Sequence, residues 1–255
     1  MNDLAFGGGL NECFQLDTLR IPIRFVQINI AGVRIKVSPV RNCDRICDEM
    51  ARKRPRQHGG GGPQSIPPTM LRVIGGDMRG RGFRYNGDAG LRPMKDRVRE
   101  AVFNLIGPAA KGKEVIDLFG GTGALAFEAI SRGAVSARVI ERRFPNAKMI
   151  EANAKSLGIA ERIEVQAGDT FIAYKQIAPP TRPALIFCCP PYDFYVERME
   201  ETLALISRMC EIAPPASLIL VEADGRFDTS LLPDASAWDV RTYSPAVISL
   251  YEKLD

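Results

Sequence analysis

Short apolar runs alternate with segments of helical periodicity from residue 113 onward. The runs are rich in β-branched residues and too short for helices, which indicates buried strands, while the segments between them predict helices. This alternation predicts a doubly wound, mostly parallel α/β sheet with helices on both faces. The predicted strands are 115–119, 137–140, 163–166, 184–188 and 217–222, followed by a terminal antiparallel hairpin of 238–243 and 247–251, which makes seven. The predicted helices are 122–132, 145–157 and 194–212.

The first predicted strand leads into the glycine-rich run 117–123, which reads Asp-Leu-Phe-Gly-Gly-Thr-Gly. Glycines between a strand and a helix let the backbone approach a ligand closely, although tight strand–helix turns also use them without a ligand. Asp117 is more informative, because a carboxylate at the end of a strand suits a cationic amino group or a hydroxyl. In doubly wound sheets, ligands bind beyond the carboxyl ends of the strands. The run therefore predicts one wall of a ligand pocket.

Acidic residues also follow the next two predicted strands. Glu141 closes the second strand, where its two oxygens can accept hydrogen bonds from ribose hydroxyls. A surface ion pair with Arg142 or Arg143 is the alternative. Asp169 follows the third strand and is placed to meet an adenine amino group. Each acid alone is commonly structural, but three acids at successive strand ends describe one pocket.

The run Cys189-Pro190-Pro191-Tyr192 follows the fourth predicted strand. Together with the glycine-rich run and the strand-end acids, it resembles the amino-methyltransferases that use S-adenosylmethionine. Two further runs make the chain similar to the RsmD family, the bacterial 16S rRNA guanine-N2 methyltransferases. They are Leu71-Arg72-Val73-Ile74-Gly75-Gly76-x-x-Arg79-Gly80-Arg81 and Leu91-Arg92-Pro93-x-x-Asp96-Arg97-Val98-Arg99-Glu100-Ala101-x-Phe103-Asn104. The resemblance covers about residues 70–253 and does not extend to 1–69.

The resemblance implies a Rossmann-like class I methyltransferase fold with S-adenosyl-L-methionine as the cofactor and no metal ion. It also implies that Tyr192 stacks on an extruded guanine and that the Pro190 carbonyl accepts a hydrogen bond from its exocyclic amine. The implied catalytic residues are Cys189, Pro190, Pro191 and Tyr192. The implied cofactor-binding residues are Asp117, Phe119, Gly121, Thr122, Gly123, Glu141, Arg142, Asp169 and Thr170.

Cys189 departs from the family pattern, in which Asp or, in relatives, Asn precedes the prolines. A thiol is a weak hydrogen-bond acceptor, and burial raises its pKa. Three interpretations stay open: a slower enzyme that relies on positioning, replacement of the missing acceptor by Asp193, or a catalytically weak RNA-binding relative.

Two other methyltransferase classes are further alternatives. A cytosine-C5 enzyme would use Cys189 as a covalent nucleophile, but such enzymes place the cysteine after a proline rather than before one. A DNA adenine-N6 methyltransferase shares the Pro-Pro-aromatic motif, but residues 72–104 argue against it.

Positive charge is concentrated just before the sheet-forming part of the chain. Residues 70–100 hold eight Lys or Arg against four Asp or Glu, in a chain whose net charge is +4. This predicts a polyanionic partner, although a solvated charged surface gives the same pattern, and for Arg97 and Arg99 the alternative is an exposed helix with ion pairs. With the resemblance, the segment predicts contact with 16S rRNA in a small-subunit assembly intermediate. The predicted RNA-binding residues are Arg72, Arg79, Arg81, Arg92 and Arg97.

The first 69 residues have a different character. Residues 51–69 have a linker composition rich in Arg, Gly and Pro, and alternating apolar residues within 21–37 predict a hairpin. We therefore expect a disordered or non-biological extension at 1–69, with Met70 as a candidate start, a basic RNA-contacting segment at 70–110 and a methyltransferase domain at 111–255. A zinc site at Cys43, Cys47 and His58 is a weak alternative, because a fourth ligand is unclear.

The chain has neither a secretory signal nor a run of about 18 apolar residues that would span a membrane. Its six cysteines are not spaced like a disulfide framework. We expect a cytoplasmic, monomeric protein with free thiols and no membrane partner.

Overall fold

The computed structural model describes residues 69–254 and, within the first 68 residues, only the backbone of two short strands. The chain divides into two compact units, Met1–Gly61 and Gly62–Asp255. In the first unit, β1 (Val26–Ile30) pairs antiparallel with β2 (Val33–Val37), which is the predicted hairpin. The predicted linker and the candidate zinc ligands lie outside the described residues.

The second unit is built on a seven-stranded sheet with the order β10-β11-β9-β8-β5-β6-β7. Neighbouring strands from β9 to β7 pair parallel, whereas β11 pairs antiparallel with both β9 and β10. The predicted doubly wound sheet with a terminal antiparallel hairpin is therefore confirmed. The strands are β5 (Glu114–Asp117), β6 (Ser136–Glu141), β7 (Ile163–Ala167), β8 (Ala184–Cys188), β9 (Leu218–Asp224), β10 (Trp238–Tyr243) and β11 (Ala246–Glu252).

Helices connect these strands and cover both faces of the sheet. They are α1 (Asp96–Ile106), α2 (Ala124–Ser131), α3 (Phe144–Ser156), α4 (Thr170–Ala173), α5 (Phe194–Glu197) and α6 (Met199–Ile212). In the described part of the chain, none of them has the length and apolar character needed to cross a membrane.

The predicted continuous helix over 194–212 is wrong, because Arg198 interrupts it. The backbone of Arg198 has φ −135° and ψ 37°, outside the helical region, and it separates α5 from α6. Its guanidinium lies 3.8 Å from the centre of the Phe171 ring and forms a 2.6 Å ion pair with Glu201. The side chain thus stacks on a neighbouring element that the helical pattern alone does not reveal.

Each strand alternates its side chains between two apolar layers. Val115 on β5 belongs to one buried cluster and Ile116 to the other, and Leu185 and Ile186 on β8 divide in the same way. The sheet is therefore buried on both faces, as the continuous apolar runs predict.

Residues 69–110 are an integral part of this core. An antiparallel ribbon of β3 (Thr69–Arg72) and β4 (Gly82–Tyr85) precedes α1. The Phe83 ring packs edge-on against Phe127 of α2 with ring centres 5.1 Å apart, and Val102 and Phe103 of α1 are fully buried in the same cluster. The basic segment is thus held rigidly against the sheet.

Candidate functional site

The carboxyl ends of the parallel strands bring the predicted acids to one edge of the sheet. Asp117 ends β5 and Glu141 ends the adjacent β6, while Asp169 follows β7. Glu141 is near enough to contribute to the raised pKa of Asp117, since two negative charges repel. The structure therefore brings together the three acids whose proximity the sequence predicted.

The loop between β5 and α2 folds tightly because its glycines have no side chains. A Cβ on Gly120 would lie 2.4 Å from Val139, and one on Gly123 would lie 2.8 Å from the Phe127 ring. Gly121 and Gly123 also have left-handed φ angles of 55° and 79°, which favour glycine. The loop backbone can consequently lie directly over the sheet edge, where a ligand can approach it closely.

Glu141 organises this loop from the neighbouring strand. One carboxylate oxygen accepts a 2.8 Å hydrogen bond from the N–H of Gly121, and the other accepts a 2.7 Å bond from the N–H of Arg143. The side chain is buried rather than paired at the surface, so the alternative of an ion pair with Arg142 or Arg143 is wrong. The Arg143 guanidinium instead pairs with Asp88 at 3.0 Å. Each Glu141 oxygen keeps a lone pair that could meet a ribose hydroxyl.

Asp117 is completely buried, and its Oδ1 has no hydrogen-bond partner among the described residues. Burial, the main cause, raises the pKa of this carboxyl to about 7, although the N–H of Phe119 opposes the shift. A buried acceptor without a partner is costly unless a ligand supplies a donor. Asp117 therefore fits a donor-bearing, cationic group such as an amino group.

Asp169 and Thr170 follow β7 at the same edge of the sheet. Asp169 caps α4 by accepting a 2.8 Å hydrogen bond from the N–H of Phe171, and one of its oxygens lies 3.9 Å from the Arg198 guanidinium. The Thr170 hydroxyl donates to the carbonyl of Leu118, which ties α4 to the glycine-rich loop.

The remaining implied cofactor residues differ in exposure. Thr122 is buried and Phe119 is half-buried, with its ring centre 5.9 Å from that of Phe171, while Arg142 is exposed. The aromatic wall that these phenylalanines make is suited to a flat apolar group such as adenine.

The run 189–192 follows β8, directly beside the end of β5. Burial raises the pKa of the Cys189 thiol well above its ordinary value, and the nearby carboxylates of Glu222 and Asp117 add to this effect. Cys189 is therefore a neutral thiol at neutral pH, which opposes a thiolate acceptor or a covalent nucleophile.

The carboxylate predicted as a substitute is engaged elsewhere. Asp193 is exposed and accepts a 3.0 Å hydrogen bond from Arg226, which also pairs with Asp224 at 2.9 Å. In contrast, the hydroxyl of Tyr192 donates a 2.8 Å hydrogen bond to Glu222 on β9. Glu222 is absent from the predicted site residues, although it ends the predicted strand 217–222 just as the other acids end theirs.

The basic segment divides into arginines that bind the protein and arginines that face solvent. Arg72 pairs with Asp96 at 3.1 Å, and Arg81 and Arg97 donate to the carbonyls of Ser156 and Ser244 at 3.1 and 2.9 Å. The exposed side chains of Arg79 and Arg92 make no hydrogen bond or ion pair with the described residues.

Arg99 forms the ion pair with Asp96 that the alternative expected, but it is buried and not exposed, so that half of the alternative is wrong. Its side chain is 1% exposed, donates to the carbonyl of Arg72 and to Asp96, and lies 3.9 Å from Glu128. Arg99 therefore stabilises the segment from within.

A separate cavity of about 490 Å³ lies at the opposite edge of the sheet. It is lined by Glu114, Ser136 and Ile163, the first residues of β5, β6 and β7. It is thus remote from the strand-end acids and from the run 189–192.

A family described as Conserved hypothetical protein 95 matches residues 71–252. "Ribosomal RNA small subunit methyltransferase D" of Escherichia coli (strain K12) is 34% identical over 173 residues, which are 68% of this chain and 80% of the relative. The chain belongs to the RsmD family. Membership extends over the basic segment as well as the sheet, because the matched residues start in β3 and end in β11.

Two further similarities agree with RsmD-family membership. "Putative rRNA methyltransferase YlbH" of Bacillus subtilis (strain 168) is 29% identical over 185 residues, covering 72% of this chain and 99% of the relative. The solved structure of "Putative methyltransferase yhhF" from Escherichia coli aligns with a TM-score of 0.60 and 28% identity, covering 73% of this chain and 99% of that one. The family and the predicted fold class are thus confirmed, and the site residues have the geometry described above.

Proposed function

We propose that this protein transfers a methyl group from S-adenosylmethionine to the exocyclic N2 of a guanine in small-subunit rRNA. The observation that carries the proposal is the adjacency of two half-sites at one sheet edge. The cofactor half consists of Asp117 and Glu141 at the ends of β5 and β6, and the acceptor half is the run 189–192 after β8, which pairs with β5. The names of the rRNA methyltransferase relatives supply the substrate class.

The described residues fit S-adenosylmethionine group by group. Asp117 would accept from the amino group, because its Oδ1 is buried without a partner. Glu141 would accept from the ribose hydroxyls, and Asp169 with the Phe171 wall would hold the adenine. When bound, this cofactor supplies an electrophilic methyl group on a sulfonium.

The acceptor residues would position a poor nucleophile. The guanine N2 lone pair is delocalised into the ring, so N2 reacts only when acceptors hold its hydrogens and aim the lone pair at the methyl carbon. The Pro190 carbonyl would accept one of these hydrogens, and the Tyr192 ring would stack on the base, which contributes roughly 1–3 kcal/mol. The methyl carbon would pass to N2 with S-adenosylhomocysteine as the leaving group, and N2 would lose one proton to water.

The basic segment 70–110 would bind rRNA beside this pocket. Arg79 and Arg92 are the best placed of the five predicted arginines, since Arg72, Arg81 and Arg97 already bind carboxylates or carbonyls. We further propose that the protein acts in the cytoplasm as a monomer, on rRNA within an assembling small subunit, through its residues 111–255.

The neutral thiol of Cys189 favours one competing function, a catalytically weak RNA-binding relative. A thiol holds the guanine amine less firmly than the family's Asp. This candidate function predicts cofactor binding and RNA binding without turnover. The methyltransferase function predicts cofactor binding, RNA binding and turnover.

Two measurements test the proposal, one on the purified full chain and one on rRNA from a deletion strain. Calorimetry should detect S-adenosylmethionine binding to the purified protein, and Asp117→Ala should weaken it, with Arg138→Ala at the opposite sheet edge as the matched control. Mapping of N2-methylguanine in rRNA from a deletion strain should reveal one site that loses its methyl group. Absence of cofactor binding contradicts a methyltransferase, and unchanged rRNA methylation favours the non-catalytic relative.

A further inference from the structure

Glu222 lies where a carboxylate can face the acceptor base. It is on β9, next to β8 in the sheet, and opposite Ile248 of β11. Its Oε1 accepts the 2.8 Å hydrogen bond from Tyr192, the residue expected to stack on the base. Its charge also raises the pKa of the Cys189 thiol, so the two side chains are close neighbours. Glu222 therefore lies near both Cys189 and Tyr192, at the acceptor half of the site.

The Glu222 carboxylate keeps unused hydrogen-bonding capacity. Carboxylate oxygens offer about four lone-pair sites, and Tyr192 uses one of them. Among the described residues, no donor binds Oε2, and the side chain is half-buried rather than enclosed. Asp193 offers no comparable group, because it is exposed and bound by Arg226.

The pKa of the Glu222 carboxyl is raised overall, although two of its neighbours favour the ionised form. Burial raises the pKa of this carboxyl, but the Tyr192 hydroxyl and the positive charge of Arg92 oppose the shift. The backbone carbonyl of Glu222 also accepts a 3.0 Å hydrogen bond from the hydroxyl of the buried Tyr195, which fixes this end of β9. The carboxylate is thus held in place by its strand on one side and by Tyr192 on the other.

We infer that Glu222 selects guanine, its carboxylate accepting hydrogen bonds from the base's N1–H and from one N2–H. This inference rests on the proposed function and names the residue that determines its base specificity. Guanine is the base that presents two adjacent donors, N1–H and N2–H, on its Watson–Crick edge, whereas adenine presents an acceptor at N1. An ionised carboxylate accepts hydrogen bonds and cannot donate them, so it attracts the guanine edge and repels the adenine edge.

With Glu222 in this role, the exocyclic amine of guanine has two hydrogen-bond acceptors, although Cys189 replaces the family's Asp or Asn. Glu222 would hold one N2 hydrogen and the Pro190 carbonyl the other, so the thiol need not accept either. Glu222, on the next strand, would thus supply the carboxylate that is missing at position 189.

The test compares two target bases in a synthetic small-subunit rRNA fragment, in which the guanine methylated by the wild type has been located by mass spectrometry. One fragment carries guanine there and the other 2,6-diaminopurine, which keeps the N2 amine but has an acceptor at N1. The wild type should prefer guanine. Glu222→Gln should lower kcat/KM on guanine by about 10- to 100-fold, the usual effect of one lost two-bond base contact. Its amide can donate to N1 and accept from N2–H, so it should shift the preference toward 2,6-diaminopurine.

Tyr192→Phe is the matched control, because it removes the hydrogen bond to Glu222 but keeps the ring. It should lower activity on both bases and, because the Glu222 carboxylate remains, retain a preference for guanine. If Glu222→Gln also lowered both activities without changing the preference, Glu222 would merely position Tyr192 and the inference would be overturned. If Glu222→Gln does not fold, the wild type and Glu222→Asp replace it in the test. Equal rates of the wild type on the two bases would overturn the inference. A preference for guanine that Glu222→Asp retains at a reduced rate would support the inference. A wild type that methylates no guanine in small-subunit rRNA, whether free or in assembling particles, contradicts the proposed function itself, a separate outcome.

Discussion

The carboxylate of Glu128 accepts a 2.7 Å hydrogen bond from the backbone N–H of Gly75, although 53 residues separate them in the chain. The same buried carboxylate accepts from the N–H of Ile74 and from Arg132, and it lies 3.9 Å from Arg99. It therefore joins the basic segment to α2, the helix that follows the glycine-rich loop. The position of the basic segment relative to the glycine-rich loop depends on this group.

Replacement of Glu128 should destabilise the protein strongly. Glu128→Gln removes the charge that pairs with Arg132 and that, together with Asp96, compensates buried Arg99, and breaking a buried ion pair in this way usually costs about 3–5 kcal/mol of unfolding free energy. Urea denaturation measures the effect. The control is Glu164→Gln, whose exposed pair with Arg138 should contribute about 1 kcal/mol or less. A loss for Glu128→Gln no larger than the control's would contradict a structural role for this network.

Asp117 should make the protein less stable as pH rises toward neutrality. Its pKa in the folded chain, about 7, is above the value of about 3.9 in an unfolded chain, so the folded state retains the proton longer. The stabilisation from this protonated carboxyl is complete below pH 4 and is lost as pH increases to about 7. Asn cannot ionise, so Asp117→Asn should not show this loss of stability. Its free energy of unfolding should exceed that of the wild type by up to about 4 kcal/mol at pH 8 and should not exceed it at pH 4.

Thermal or urea unfolding at both pH values measures this difference. Asp193→Asn is the control, because exposed Asp193 is paired with Arg226 and should change stability by a similar small amount at both pH values. The same Asp117→Asn protein should bind S-adenosylmethionine more weakly, which would show that stability is given up for ligand binding. Equal stability of Asp117→Asn and the wild type at pH 8 would count against the raised pKa.

The described cysteines should react slowly with alkylating reagents. Burial raises the pKa of Cys188, Cys189 and Cys210, the last to about 11, and only the thiolate form reacts. Iodoacetamide at pH 7.5 should therefore leave these three cysteines unmodified in the folded protein and modify them after denaturation, as mass spectrometry can follow. Rapid modification of Cys189 with loss of methyl transfer would instead indicate a reactive thiolate.

Replacement of Cys189 should change the rate of methyl transfer little, because Glu222 and the Pro190 carbonyl are expected to hold both hydrogens of the guanine amine. Cys189→Asn introduces a carbonyl oxygen, a stronger acceptor than a thiol, without placing a third carboxylate beside Asp117 and Glu222. We expect kcat, and KM for the cofactor, to stay close to the wild-type values. Cys188→Ala, in the adjacent buried position, is the control. A large increase in kcat for Cys189→Asn would show that the amine lacks an acceptor in the wild type, and a large decrease would show that the thiol has a specific function.

Arg79 should contribute to RNA affinity without affecting base selection. It is exposed and has no partner among the described residues, so Arg79→Ala should weaken binding of rRNA fragments and reduce the slope of log affinity against log salt by about 1. Titrations at several salt concentrations measure this slope. Arg138→Ala, at the opposite edge of the sheet, should leave it unchanged. Equal slopes for the wild type and Arg79→Ala would exclude a phosphate contact.

The sequence alone determined the sheet, its parallel core and the edge at which the strand-end acids lie together. Burial on both faces produces continuous apolar strands, and a carboxylate next to a strand end has a position that depends mainly on local register. For this reason, Asp117, Glu141 and Asp169 were recognisable from their spacing. The RsmD-family motifs likewise follow from residues close together in the chain.

Only the tertiary structure decided which side chains pair across distant elements. The Tyr192–Glu222 hydrogen bond, the Asp193–Arg226 pair and the buried Arg99 depend on how strands and helices pack, and residue type does not distinguish a buried arginine from a solvated one. A charged side chain can be buried only where partners from other elements converge on it. Those partners are separated in the sequence and become neighbours only after the sheet has formed.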